Sequence, residues 1–307
     1  MIRFQEIKIW ISLSRPPFQV VGILPFVVGS LLPLRMVTAF DLPVFLWGLL
    51  VVVLVMSATY FNGEVHDVEG DRLSAALEKN AFSAGTQVLV NGLISCQRVN
   101  FASYTLAAAA LLVAFLLQFY YRTGAWTIPL MATGVFTGFY YSKPPFRWVK
   151  RGLGELLIGY SYGWLPVAVG TYLQTGHLDT LVHWVSLSLI CSAFTVILIN
   201  EFPDYPADIQ VHKRNLVVRF GKERCAVVYS AVAALGIAAF LFSLTKGFPK
   251  SALLLYLPVG LASGIAIYMM LTKKFLNRRL LERMCLMTYL VNLGTCLSYI
   301  AGFLLSR

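Results

Sequence analysis

Apolar residues fill the chain in nine long runs, at about 18–38, 42–61, 101–120, 126–142, 155–173, 181–199, 225–244, 252–272 and 285–305. Each approaches the ~20 residues that a helix needs to cross the hydrocarbon core of a bilayer. The pattern predicts an all-α, polytopic membrane protein with nine transmembrane helices, organised as one domain over 1–307. Ahead of the first run, Ile2, Ile9 and Leu13 alternate with Arg3, Glu6, Lys8 and Ser12. That spacing leaves one apolar stripe and predicts a short helix over 1–15 lying on the membrane surface. Arg15-Pro16-Pro17 then ends it and opens the first span. The polar segments 62–98 and 200–224 read as loops.

Composition agrees, with 58% hydrophobic and only 13% charged residues in 307, far from the usage of a soluble domain. The first apolar run is too long for a signal peptide and lacks a small-residue cleavage pattern, so no segment is expected to be removed. The placement of Lys and Arg sets an orientation. The N-terminus and the segments after the second, fourth, sixth and eighth runs hold twenty of them, against five on the other side. The positive-inside rule puts the N-terminus and these segments in the cytoplasm, in a cell inner or plasma membrane. Orientation and anionic membrane lipids account for most of the formal charge of +11, and no nucleic acid or protein partner is needed to explain it. Lys273, Lys274, Arg278, Arg279 and Arg283 read as lipid headgroup contacts. Five cysteines without a CxxC pair read as small core residues, and four scattered histidines offer no zinc site.

The acids are distributed differently. Of fourteen, five lie between 64 and 78 and three between 201 and 208, in segments that the positive-inside rule would fill with Lys and Arg. Asp67 and Asp71 have the spacing of Asp204 and Asp208, each residue 137 positions from its counterpart. This hints at two similar halves that bring their carboxylates to a shared cavity. Asn200, Asp204 and Asp208 would share one face if the helix entering from Ile199 continued, although Pro203 and Pro206 predict an interrupted turn instead. Carboxylates held side by side repel unless a cation sits between them. Lys213, Arg214 and Arg219 follow at once, and Lys143 with Tyr140 or Tyr141 could hold a diphosphate oxygen. Glu155 reads as a helix N-terminal acid. Sparse acid pairs beside basic residues suit magnesium, which takes few protein carboxylates and fills its octahedron with water and phosphate oxygens. A diphosphate whose organic part prefers the bilayer, such as an allylic prenyl group, would explain a site embedded in a membrane.

The two motifs, Asn200-Glu201-Phe202-Pro203-Asp204-Tyr205-Pro206-Ala207-Asp208 with Lys213 to Arg219, and His66-Asp67-Val68-Glu69-Gly70-Asp71-Arg72 with Asn80-Ala81-Phe82-Ser83, resemble the UbiA superfamily of intramembrane prenyltransferases. They look most like its 1,4-dihydroxy-2-naphthoate branch, which serves menaquinone biosynthesis. The resemblance implies nine helices around a central cavity open to the bilayer. It also implies Mg²⁺ on a polyprenyl diphosphate, held by Asp67, Asp71, Asn200, Asp204 and Asp208, with Arg72, Lys143, Lys213 and Arg214 offsetting charge. An aromatic acceptor would attack the resulting allylic cation. The family's first motif has Asn four residues before its first Asp, where this chain has Gly63. Asn62 is therefore a metal candidate, with Glu64 or water as its replacement. Other acceptors within the superfamily (a 4-hydroxybenzoate, homogentisate, a tetrapyrrole or a glycerophosphate lipid) remain open, as does a cation transporter that uses the same acids.

Overall fold

The computed structural model describes residues 2–35, 40–78, 82 and 84–306. Lys79, Asn80, Ala81, Ser83 and Arg307 lie outside them, so most of the Asn80 to Ser83 resemblance is not described. Among the described residues the chain is helical, with no strand: α1 (Ile2–Leu13), α2 (Pro16–Leu31), α3 (Leu42–Glu78), α4 (Cys96–Phe119), α5 (Thr127–Ser142), α6 (Gly154–Gly159), α7 (Leu165–Thr175), α8 (Thr180–Gln210), α9 (Leu216–Thr245), α10 (Ala252–Leu271) and α11 (Arg278–Leu304). Seven of these, α2 to α4 and α8 to α11, are long and apolar enough to cross a membrane. The runs predicted at 126–142 and 155–173 are helical in shorter pieces. The first is α5, with 16 residues; the second divides into α6, a π-helical turn over Tyr160–Trp164, and α7.

Helix α8 packs against α9, α3 and α11, α2 against α7, α3 against α4, and α10 against α11. The α2–α7 crossing brings backbone onto backbone. A Cβ on Gly29 would stand 2.1 Å from the Val167 carbonyl oxygen, and one on Gly170 2.4 Å from that of Phe26. The Thr171 hydroxyl completes the contact by donating to Gly29 O at 2.8 Å. Small residues are what allow helices to approach this closely without a hydrophobic driving force between them. Gly29→Ala or Gly170→Ala is expected to force the pair apart and cost about 1–3 kcal/mol, read as a lowered Tm in detergent.

Two segments expected as loops are helical where the acids lie. Helix α3 runs for 37 residues, about 55 Å at 1.5 Å per residue, and so carries residues 62–78 beyond the thickness of a hydrocarbon core. Helix α8 continues to Gln210 through Pro203 and Pro206, where an interrupted turn was expected. A proline inside a helix leaves the carbonyl four residues earlier without its donor. Here that carbonyl, Ile199 O, accepts the Cys285 thiol of α11 at 3.9 Å. Phe202 is buried beside it against the Phe275 ring, 5.2 Å between centroids. The neighbouring helix thus supplies what the proline removes, the usual way that prolines are accommodated in membrane helices.

Candidate active site

Because α3 and α8 continue as helices, each presents its acids on one stripe. On α3, Tyr60, Gly63, Glu64, Asp67 and Asp71 line a cavity of about 330 Å³; on α8, Val196, Ile197, Asn200, Glu201, Asp204 and Asp208 line the same one. Both sets follow helical spacing, three or four residues per turn. The four aspartates therefore meet at one end of a single cavity, whose remaining wall is largely apolar, with Val51, Val55, Met56, Leu130, Met131 and Leu165 among its residues.

Lys213 lies among them. Its Nζ stands 3.3 Å from Asp208 Oδ1 and 3.8 Å from Asp67 Oδ1. Burial would pull its pKa down, but Asp67, Asp208, Asp71 and Asp204 together hold it well above the usual lysine value. Each of three acids has a further partner. Ser142 Oγ donates to Asp67 Oδ2 at 2.6 Å, Asn215 Nδ2 donates to Asp208 Oδ2 at 2.8 Å, and the Ser74 hydroxyl donates to Asp204. The segment after α3 folds back over the acids. Gly85, at φ 59°, sits so close to Asp71 that a Cβ would stand 2.1 Å from its Oδ2, a position that only glycine fills. Thr86 donates to Glu64 through its N–H at 3.1 Å and its hydroxyl at 2.7 Å.

Of the candidate site residues named from the sequence, Glu64, Asp67, Asp71, Asn200, Asp204, Asp208, Lys213 and Tyr141 line this cavity, so Glu64 rather than Asn62 is the one that reaches it. The others do not. Asn62 is fully buried in the packing of α3, a third of a turn from Gly63, and its amide has no hydrogen-bond partner. Arg72 and Arg214 are exposed. Lys143 bonds the Tyr104 hydroxyl and rests over that ring, 4.7 Å from its centroid. Tyr140 belongs to an aromatic cluster with Phe136 at 5.0 Å and Phe146 at 5.1 Å. Glu155, in the first turn of α6, is buried and accepts from Leu216 N at 2.6 Å, so it serves the N-terminus of α9 rather than its own.

Sequence reasoning missed several groups in the cavity or bonded to its acids. Arg15 was read as an orientation charge. It sits at φ 48° between α1 and α2 and forms an ion pair with the buried Glu64, its own side chain half-buried and Nε donating to Oε1 at 3.1 Å. The one available signal was an arginine directly before two prolines. Ser74, Ser142 and Asn215 carried none, since single hydroxyls and amides have no spacing to read. Tyr60, Ser161 and Tyr162 also line the cavity.

The donors suit a magnesium ion that arrives with a phosphorylated ligand. Among the described residues no three His, Cys, Asp or Glu side chains stand close enough to ligate one ion by themselves. Magnesium does not need them, since it binds through one or two carboxylates and takes its other oxygens from water and phosphate. Asn200 Oδ1, buried on the cavity wall without a partner, adds an uncommitted oxygen beside the acid pairs.

Comparison with known proteins bears on the family and the fold. The 2-carboxy-1,4-naphthoquinone phytyltransferase of Synechocystis sp. is 26% identical over 215 residues, 70% of this chain and 66% of that protein. The chain spans 38% to 66% of the length of the curated relatives that it matches. Two solved structures share the fold. A UbiA homolog from Aeropyrum pernix K1 has a TM-score of 0.70 at 18% identity, covering 94% of this chain and 97% of its own. A UbiA homolog from Archaeoglobus fulgidus, bound to DMAPP and Mg²⁺, has a TM-score of 0.63 at 17% identity, covering 95% and 99%. The UbiA prenyltransferase family model matches residues 22–292, nearly the whole length that carries the cavity, and the chain belongs to that family.

Proposed function

We propose that this protein transfers a prenyl group from a polyprenyl diphosphate to an aromatic quinone precursor inside the membrane, with 1,4-dihydroxy-2-naphthoate as the acceptor. The observation that carries the reading is the meeting of Asp67, Asp71, Asp204 and Asp208 with Lys213 at the polar end of an otherwise apolar cavity. The acids bind a divalent ion with the diphosphate, and Lys213 offsets charge on the phosphate oxygens. Magnesium, when bound, neutralises part of the charge that collects as the leaving group departs. The ester C–O bond breaks with its electron pair going to the bridging oxygen, and the allylic cation is attacked by an electron-rich ring carbon. The ring then regains aromaticity by losing a proton or, from a carboxylated carbon, carbon dioxide. Apolar residues house the prenyl chain, and Tyr141 offers an aromatic face near the cation. The naphthoate acceptor is supported by the Synechocystis relative's name, and the diphosphate by the DMAPP and GPP complexes of the archaeal homolog. The reading includes nine crossings, with α5 and the α6–α7 composite as the two shorter ones, and an N-terminus and active site facing the cytoplasm.

Purified protein supplied with a labelled prenyl diphosphate and a panel of acceptors tests it. Label is expected in a prenylated naphthalene product, and EDTA is expected to abolish its formation. Product only with a benzoate or a glycerophosphate, or turnover that persists in EDTA, would overturn the assignment.

A further inference from the structure

Away from the acids the cavity wall is mostly apolar, and Thr59 turns its hydroxyl back onto Met56 O of its own helix, but two pairs of hydroxyls stand in mutual contact. The Tyr162 hydroxyl lies 3.1 Å from the Tyr60 hydroxyl, and the Oγ of the adjacent Ser161 lies 3.1 Å from Thr137 Oγ1; all four residues line the cavity. Tyr162 and Ser161 come from the π-helical turn over Tyr160–Trp164. Its tight seating depends on Gly163, where a Cβ would stand 2.4 Å from the Ile190 backbone nitrogen. Such single wide turns occur inside α-helices mostly at functional positions. A hydroxyl has one proton and two lone pairs. When the two tyrosines share one hydrogen bond, the pair keeps one proton and several lone pairs for a third group, in a setting where an unmade hydrogen bond is costly.

Position completes the argument. Tyr60 precedes Asp67 by seven residues on the same face of α3, two turns or about 10 Å along the axis. A separation of about 10 Å is the scale of an acceptor ring placed between the tyrosines and a diphosphate held at the acids. The pair is too polar to be explained as part of a prenyl channel, and it stands two turns from Asp67, with the Arg15–Glu64 pair on the turn between them.

We infer that the Tyr60–Tyr162 hydroxyl pair, presented by the π-helical turn, binds a ring hydroxyl of the aromatic acceptor and makes the enzyme select free hydroxyls over their ethers. The inference rests on the prenyl transfer proposed above and names how its acceptor is recognised. Tyr60 and Tyr162 are thus specificity-determining residues, and Ser161 and Thr137 supply a second polar point on the same wall.

Steady-state kinetics of Tyr60→Phe and Tyr162→Phe test this, since each keeps the ring and removes only the hydroxyl. The acceptor KM should rise about 5- to 100-fold, the range that follows from leaving a buried polar group unpaired, while the KM for prenyl diphosphate stays within about twofold. The preference of wild type for 1,4-dihydroxy-2-naphthoate over its monomethyl ether should fall by a similar factor. Titration calorimetry with the naphthoate alone should show the same weakening without turnover. An unchanged acceptor KM and ether discrimination in both variants, or a rise confined to the prenyl diphosphate KM, would overturn the inference. Should one variant fail to fold, the other and Ser161→Ala decide by the same readouts. If wild type prenylates no aromatic acceptor, it is the prenyl-transfer reading that falls, an outcome seen before any variant is made.

Discussion

Alanine at Asp67, Asp71, Asp204 or Asp208 is expected to lower prenyl transfer by about a hundred- to a thousandfold, the scale of removing a preorganised group that meets developing charge, while the protein stays folded in the membrane. The reasoning turns on charge. Four carboxylates and Lys213 share one end of the cavity, so the metal-free site carries an excess of negative charge and its acids repel one another. Removing one acid relieves part of that repulsion. The metal-free variant should therefore melt close to wild type, whereas a structural carboxylate would take the fold with it. The check pairs turnover with Tm measured in EDTA. Activity within tenfold of wild type at two of the four positions, or variants that no longer insert and fold, would defeat the assignment.

Lys213→Met is expected to do the opposite to stability. The side chain is 16% exposed and its ammonium pairs with two acids, Asp208 at 3.3 Å and Asp67 at 3.8 Å. Removing one partner of a buried charge cluster leaves the other charges uncompensated, a loss of about 3–5 kcal/mol. The lower end applies here, because Asp67 is 22% exposed and water screens part of its charge. The metal-free variant should thus unfold at a clearly lower temperature. Magnesium added with a prenyl diphosphate should return much of the difference, since ligand binding to the folded state alone stabilises it by mass action. A variant as stable as wild type in EDTA would show that Lys213 does not hold the acids together. Turnover should fall in parallel, because the proposed reaction uses the same lysine to offset charge on the phosphate oxygens.

The membrane class and the apolar stretches of the helices were legible from the chain alone, because hydropathy is a local property that each segment carries with it. So was the correspondence of Asp67 and Asp71 with Asp204 and Asp208, because their equal spacing and constant offset of 137 positions are visible in one dimension, whereas the helical course of both segments and their meeting in one cavity were settled by packing. Lys213 was also within reach, as the first base after the second acid pair. The persistence of α8 through Pro203 and Pro206 was not, since the carbonyl freed by Pro203 is answered by Cys285, 86 positions away. Among the basic residues, Lys143, Arg72 and Arg214 look as suitable as Lys213 in one dimension. Only the packed structure turns Lys143 onto Tyr104 and leaves Arg72 and Arg214 exposed, while seating Arg15 on Glu64. Asn62 and Gly63 differ by one position, about 100° around the helix, and α3's packing against its neighbours decided which of them faces the cavity. The hydroxyl pair of Tyr60 and Tyr162 depends on a π-helical turn and a glycine contact across helices. Residues 102 positions apart met there through tertiary packing, which no periodicity within a single segment encodes.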